Sequence, residues 1–225
     1  MHIHSSDIAK CCALFKKQDF VWGTANAELY GLCQKYPHHN NHEQTIAKLW
    51  MIGRTYAAAL ERRKGVKVKT DALYTQVANR LSLQMDGLLQ ALAKKEQLSP
   101  ESFKQALELH KHLTEWFVAE EEKGTFPVKR SLASKYLHFH LPNLFPIYDA
   151  NAVFAVNKLV SNRNISDTIS DVSDYEEGSR NCICDQEYRS FCLKVLALQR
   201  YLGWQDLKQI DDFLLYYADW CRQGN

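Results

Sequence analysis

Apolar side chains recur at three- and four-residue steps along most of the chain, and strict alternation is nearly absent, so the sequence reads as one helix after another. Ile8, Cys12 and Phe15 mark a first helix from Ser5 to about Phe20, followed by a turn at Trp22 and Gly23. A second runs from about Thr24 to Tyr36 and stops at Pro37. Ile46, Leu49, Gly53, Tyr56 and Leu60 form one broad stripe from Glu43 to about Arg63, which Gly65 ends. Gly53 costs that helix about 1 kcal/mol relative to alanine, a cost that suits a position where another segment or a ligand comes close. A further helix spans Asp71 to about Lys95, with a kink expected near Ser82 or Gly87.

Punctuation residues set the remaining boundaries. Ser99 followed by Pro100 is an N-cap with proline at the first helical position, and that helix should end after Glu120-Glu121-Glu122. Leu132, Tyr136, Leu137 and Phe139 give Ser131 to Leu141 a helical distribution, which Pro142 stops because it lacks an amide proton and restricts its predecessor. Pro146 then holds an extended link, and Asp149 is placed to cap a helix from Ala150 to Leu159. Periodicity fades from Ser161 to Cys184, the longest expected loop, with room for a short helix. Two helices, Gln186 to Tyr201 and Asp206 to Trp220, close the core. The expected fold is all-α: one helical domain over residues 1–225, or two helical lobes, 1–125 and 126–225, around a cleft.

Composition agrees with this and adds a compartment. Of 225 residues, 46% are hydrophobic and only 9 are glycine and 5 proline, enough apolar material for a core and too few breakers for a loop-rich fold. The apolar runs are too short to cross a bilayer, and seven cysteines, an odd number, fit a reducing cytoplasm better than a disulfide framework. Cys182, Cys184 and Cys192 lack the paired spacing of a zinc site, so neither metal nor cofactor is expected. The polar run His38 to His42 reads as a surface loop. His110 and His112, like His138 and His140, are two apart and cannot share a helix face.

Charge is nearly balanced at +2 but unevenly spread. Arg62, Arg63, Lys64, Lys67 and Lys69 form a basic cluster, and Asp167, Asp171, Asp174, Glu176 and Glu177 an acidic one. With Arg54 and Arg130, the basic residues are candidates for meeting a polyanion such as nucleic acid.

The densest chemistry lies between Arg130 and Val153, where Lys135 falls on an amphipathic segment and Asp149 follows a proline-bounded link. Desolvation lowers a lysine pKa and favours the nucleophilic amine, whereas a neighbouring carboxylate holds it charged. The run Ser131-Leu132-Ala133-Ser134-Lys135, followed by Phe145-Pro146-Ile147-Tyr148-Asp149-Ala150-Asn151-Ala152-Val153, resembles the helix-hairpin-helix DNA glycosylases of the 8-oxoguanine type. The stretch Ile210 to Tyr216 is similar to the closing helix of some bacterial relatives, and Ile52 to Tyr56 to a further recurring element. The departures are a hairpin position without glycine, a lysine-to-aspartate interval of 14 residues, and His138 and His140 outside the motif.

The resemblance implies a lysine Schiff base: Lys135 attacks C1′ of a damaged or abasic nucleotide, and Asp149 stabilises the sugar. Trp50, Tyr56, Tyr136, Tyr148 and Phe213 then become pocket walls. The competing expectations are a non-catalytic helical nucleic-acid-binding module and a helical protein-interaction scaffold.

Overall fold

The computed structural model describes residues 5–15, 21–62, 68–95, 98–119, 128–160 and 170–224, and among them it is all helix and connection, with no strand. Ten helices follow in order: α1 (Ser5–Phe15), α2 (Val21–Lys35), α3 (His42–Thr55), α4 (Thr70–Ala93), α5 (Pro100–Trp116), α6 (Arg130–His140), α7 (Ala150–Leu159), α8 (Ser170–Gly178), α9 (Gln186–Leu202) and α10 (Leu207–Arg222).

The predicted caps are in place. Ser99 accepts from the Ser102 amide in a reciprocal capping box ahead of Pro100, and Asp149 caps α7 through the Ala152 amide at 2.9 Å. Three boundaries differ. α5 ends at Trp116, ahead of the Glu120 to Glu122 run, which lies outside the described residues. Trp22 and Gly23 lie inside α2 and make no turn, since α2 begins at Val21. α3 ends at Thr55 rather than near Arg63, because the chain folds back onto it. The Ala58 amide donates to the Gly53 carbonyl at 2.7 Å and the Ala57 amide to Arg54 at 3.2 Å, a Schellman closure with Ala57 at φ 50° in the position usually held by glycine. A Cβ on Gly53 would lie 3.0 Å from the Ala59 backbone. The close approach that Gly53 suggested is therefore made by its own following turn. α4 is one continuous helix of 24 residues through Ser82 and Gly87.

The apolar core forms two clusters. One joins α1, α7, α8, α9 and α10 with Phe103 and Leu107 of α5. The other joins α2 to α6 and continues into Leu144 and Phe145 of the link after α6. α6 is buried along Leu132 to Phe139 and packs against α2, α3 and α5, whereas α7 packs against α9 and α10. The link from Leu141 to Asp149 thus carries the chain from one cluster to the other.

A buried irregular link must find partners for its backbone groups, and side chains from three helices supply them. His138 donates through Nδ1 to the Phe145 carbonyl at 2.8 Å, and Ser134 Oγ accepts the Tyr148 amide at 2.9 Å. Tyr188 of α9 donates to the Pro146 carbonyl at 3.0 Å, and Asp211 of α10 accepts the Ile147 amide at 3.2 Å. These bonds fix where Asp149 arrives relative to α6.

Candidate functional site

Lys135 is buried, its side chain 3% exposed, on the face of α6 that looks toward the start of α7. Its ammonium donates to Ser131 Oγ, one turn earlier, at 2.9 Å, lies 3.8 Å from Asp149 Oδ2, and stands 5.1 Å from the centre of the Tyr56 ring. Burial pulls the Lys135 amine below the usual lysine range, and Asp149 offsets part of that by favouring the charged form. The two opposed influences anticipated for this residue both operate, and burial is the larger.

Lys135 and Asp149 share the wall of a cleft of about 490 Å³. Its floor and sides come from Ser131 and Leu132 in the first turn of α6, Ala150 and Asn151 in the first turn of α7, and the Tyr56 to Ala59 turn closing α3. Arg62, Val128 and Lys129 complete the lining, so three cationic side chains face one carboxylate. Arg62 donates to the Ala57 carbonyl, and Lys129 donates to the Leu60 carbonyl at 2.9 Å and to that of Arg62. These bonds tie the turn after α3 to the entrance of α6. The first turns of α6 and α7 both line the concavity; the N-cap of α6, Lys129, provides no side-chain acceptor, whereas Asp149 takes the Ala152 amide of α7.

The other expected nucleic-acid contacts are dispersed. Arg54 pairs with Glu61 and packs over Trp50, with its guanidinium 5.6 Å from the ring centre. Arg130 is held at 2.8 Å by both Asp185 and Glu187, neutralised on the α9 side. Lys69 is exposed at the start of α4, while Arg63, Lys64 and Lys67 lie outside the described residues. Of the acidic cluster, Asp174, Glu176 and Glu177 are on α8, and Asp167 lies outside the described residues.

Of the five aromatic residues expected as pocket walls, Tyr56 alone lines the cleft. Trp50 is half exposed on α3. Phe213 is fully buried between Phe15 and Trp204. Tyr148 turns toward α9, donating to Glu187 beneath the Arg130 guanidinium. Tyr136 is fully buried and donates to His39 Nε2 at 2.8 Å. Helical spacing puts Tyr136 and Phe213 on inward faces, and inward here means toward the core.

His38 to Asn41 form a connection and His42 opens α3, but the segment is not all surface as expected, because His39 is fully buried. Its Nδ1 donates to Asp86 at 2.6 Å while its Nε2 accepts from Tyr136. Beside it the fully buried Lys48 donates to the carbonyls of Tyr36 and His38 at 2.8 and 3.1 Å and to His140 Nε2 at 3.1 Å. Burial lowers His39 to about 4 and Lys48 to about 8. The groups are mutually satisfied, and they anchor α3 and α4 to α6.

Sequence reading missed Lys129, Asn151 and the Ala57 to Ala59 turn as lining, since a turn that folds back on its own helix leaves little periodic signal. Among the described residues no set of three His, Cys, Asp or Glu is placed to share a metal ion, and no helix is long and apolar enough to cross a membrane. Comparison with protein-family models, curated proteins and solved structures finds no match to this chain.

Proposed function

We propose that the chain is a helical nucleic-acid-binding module whose cleft receives one phosphodiester unit of a single strand. The observation that carries this reading is the convergence of the first turns of α6 and α7 on a cleft lined by Arg62, Lys129 and Lys135. Amides at helix N-termini and their partial positive charge favour a phosphate, and the cations add to the attraction. A concavity of about 490 Å³ suits a nucleotide-sized group, whereas a duplex is too wide to enter it. Because Arg54 and Arg130 are already paired with carboxylates, the attraction of these described basic residues is weakened and that of Arg62, Lys129 and Lys135 is focused at the cleft.

Fluorescence anisotropy with a labelled single-stranded oligonucleotide tests this. Arg62→Glu and Lys135→Met are expected to weaken binding at least tenfold, while Lys104→Glu, on exposed surface of α5, leaves it within twofold. Equal behaviour of all three variants contradicts the proposal.

One observation favours a second, catalytic reading: the Lys135 amine is buried, lowered in pKa and 3.8 Å from a carboxylate. A neutral amine there can condense with the aldehyde of an abasic sugar, forming a C=N bond and expelling water, with Asp149 accepting a proton. Borohydride then delivers hydride to that bond and fixes the adduct. Trapping on DNA with an abasic site or lesion, absent in Lys135→Ala, supports this reading, and no trapping across a broad lesion panel contradicts it.

A further inference from the structure

Behind Tyr56 and Asp149 lies a second chamber of about 180 Å³, walled by α2, α6 and α10, and these two residues line both cavities. Its polar lining is uneven. Asp211 and Asp212 of α10 face it together with Asp149, and Tyr30, Tyr56 and Asn26 supply two rings and an amide. Tyr56 donates to Asn26, which leaves the ring as a wall. Tyr30 donates to His138 Nε2 at 2.5 Å, since the Nδ1 proton of that imidazole is directed at the Phe145 carbonyl.

Asp211 is the unusual member. Its side chain is 8% exposed, and Oδ1 accepts the Ile147 amide, but Oδ2 has no hydrogen-bond partner. His138 Nδ1 approaches that oxygen to 3.4 Å, but its single proton is committed to Phe145 at 2.8 Å, so the approach is not a hydrogen bond. An unpartnered carboxyl oxygen in a buried wall is costly unless something occupies the space before it. The chain itself shows what the chamber accepts, because the Lys208 ammonium lies 4.1 Å from the centre of the Tyr30 ring.

We propose that this chamber is a binding site for a small organic cation, an alkylammonium or guanidinium group, which donates to Asp211 and Asp212 and lies against the rings of Tyr30 and Tyr56. A group with several N–H donors can reach carboxyls spread around the wall, which are not arranged to converge on one metal ion. The site stands independently of nucleic-acid binding in the adjoining cleft.

The surrounding charges set its pH behaviour. Burial raises the Asp211 carboxyl well above the usual range, opposed by the Ile147 amide and reinforced by Asp212, Asp149 and Asp206. Burial also brings Asp212 up to about 6, with Asp206 adding to the rise and Lys208 reducing it. His138, lowered to about 4 by burial, is neutral and adds no charge. Asp211 therefore holds a proton more tightly than an exposed carboxyl and Asp212 titrates near 6, so an arriving cation displaces protons from this wall to the buffer. Affinity therefore rises with pH.

Calorimetric titration of the full chain with methylguanidinium and with ethylammonium tests the site without any nucleic acid present. At least one probe is expected to saturate one site, to bind more tightly at pH 8 than at pH 6, and to release a proton, seen as a heat that varies with the buffer's ionisation enthalpy. Asp211→Asn retains an acceptor for the Ile147 amide and so preserves the link; it should reduce proton release and weaken binding at least tenfold. Asp212→Asn, on the same wall, should weaken it severalfold. No saturable binding of either probe, or an unchanged affinity in a folded Asp211→Asn protein, overturns the proposal.

Discussion

At the residue scale, Lys135 and Ala57 show two different costs accepted around one cleft. Lys135 gives up hydration and recovers part of it through Ser131, Tyr56 and Asp149. Ala57 adopts a left-handed backbone, φ 50°, which costs an L-residue roughly 1–2 kcal/mol and glycine almost nothing. Ala57→Gly should raise the unfolding free energy by about 1 kcal/mol, after allowing for the greater freedom of glycine in the unfolded chain. Urea titration measures this, and a loss of stability would show that the methyl group packs more favourably than the backbone is strained. Asp211 illustrates what a sequence can reveal at this scale. Leu207, Ile210, Asp211, Leu214 and Ala218 share the buried face of α10, so an acid occupies an apolar position of the helical repeat. That signal was present in the spacing, but the chamber giving it meaning depends on α2 and α6, distant in the chain.

At the element scale, Asp149 has two roles that substitution can separate. It caps α7 through the Ala152 amide, and it faces the Lys135 ammonium. Asp149→Ala should cost about 1 kcal/mol by removing the cap, whereas Asp149→Asn keeps an acceptor there and should stay within about 0.5 kcal/mol of the parent. Because Asp149 counteracts the lowering of the Lys135 pKa, its neutralisation should lower that pKa further. Amine modification rates across a pH series would show it as an earlier rise in Asp149→Asn. An unchanged profile would mean that the pair is not electrostatically coupled. The cap, the proline stop after Leu141 and the order of α6 and α7 were legible because each depends on residues within a few positions. The early end of α3 was not, since Tyr56 and Leu60 continue the stripe although the chain after Thr55 has turned back onto Gly53. The second anchor of the link, Asp211, was equally hidden, being 64 positions from Ile147.

At the scale of the whole molecule, stability should depend on buried neutral imidazoles. His39, His138 and His140 each donate through Nδ1 and accept at Nε2, so a second proton would oppose the Tyr136, Tyr30 and Lys48 donors respectively. Burial lowers His39 and His138 to about 4 and His140 well below the usual value. The unfolded chain takes up these protons near pH 6.5, so the contribution is complete above that pH and is lost as pH falls toward about 4. Each histidine should cost on the order of 1–2 kcal/mol at pH 5 relative to pH 7. Asp211 acts in the opposite direction, because its raised pKa favours the folded state at low pH, and it offsets part of the loss. A denaturation midpoint that falls between pH 7 and pH 5 is the expected result, and a flat profile would contradict the buried-neutral assignment.

The central claim concerns the cleft between the starts of α6 and α7, and the salt dependence of single-strand binding tests it most directly. One phosphate neutralised there gives a slope of log affinity against log salt of about −0.7 for a single strand, and Arg62→Glu should bring it close to zero. A slope near zero in the unsubstituted protein, or one that neither Arg62→Glu nor Lys135→Met alters, would contradict nucleic-acid binding at this site.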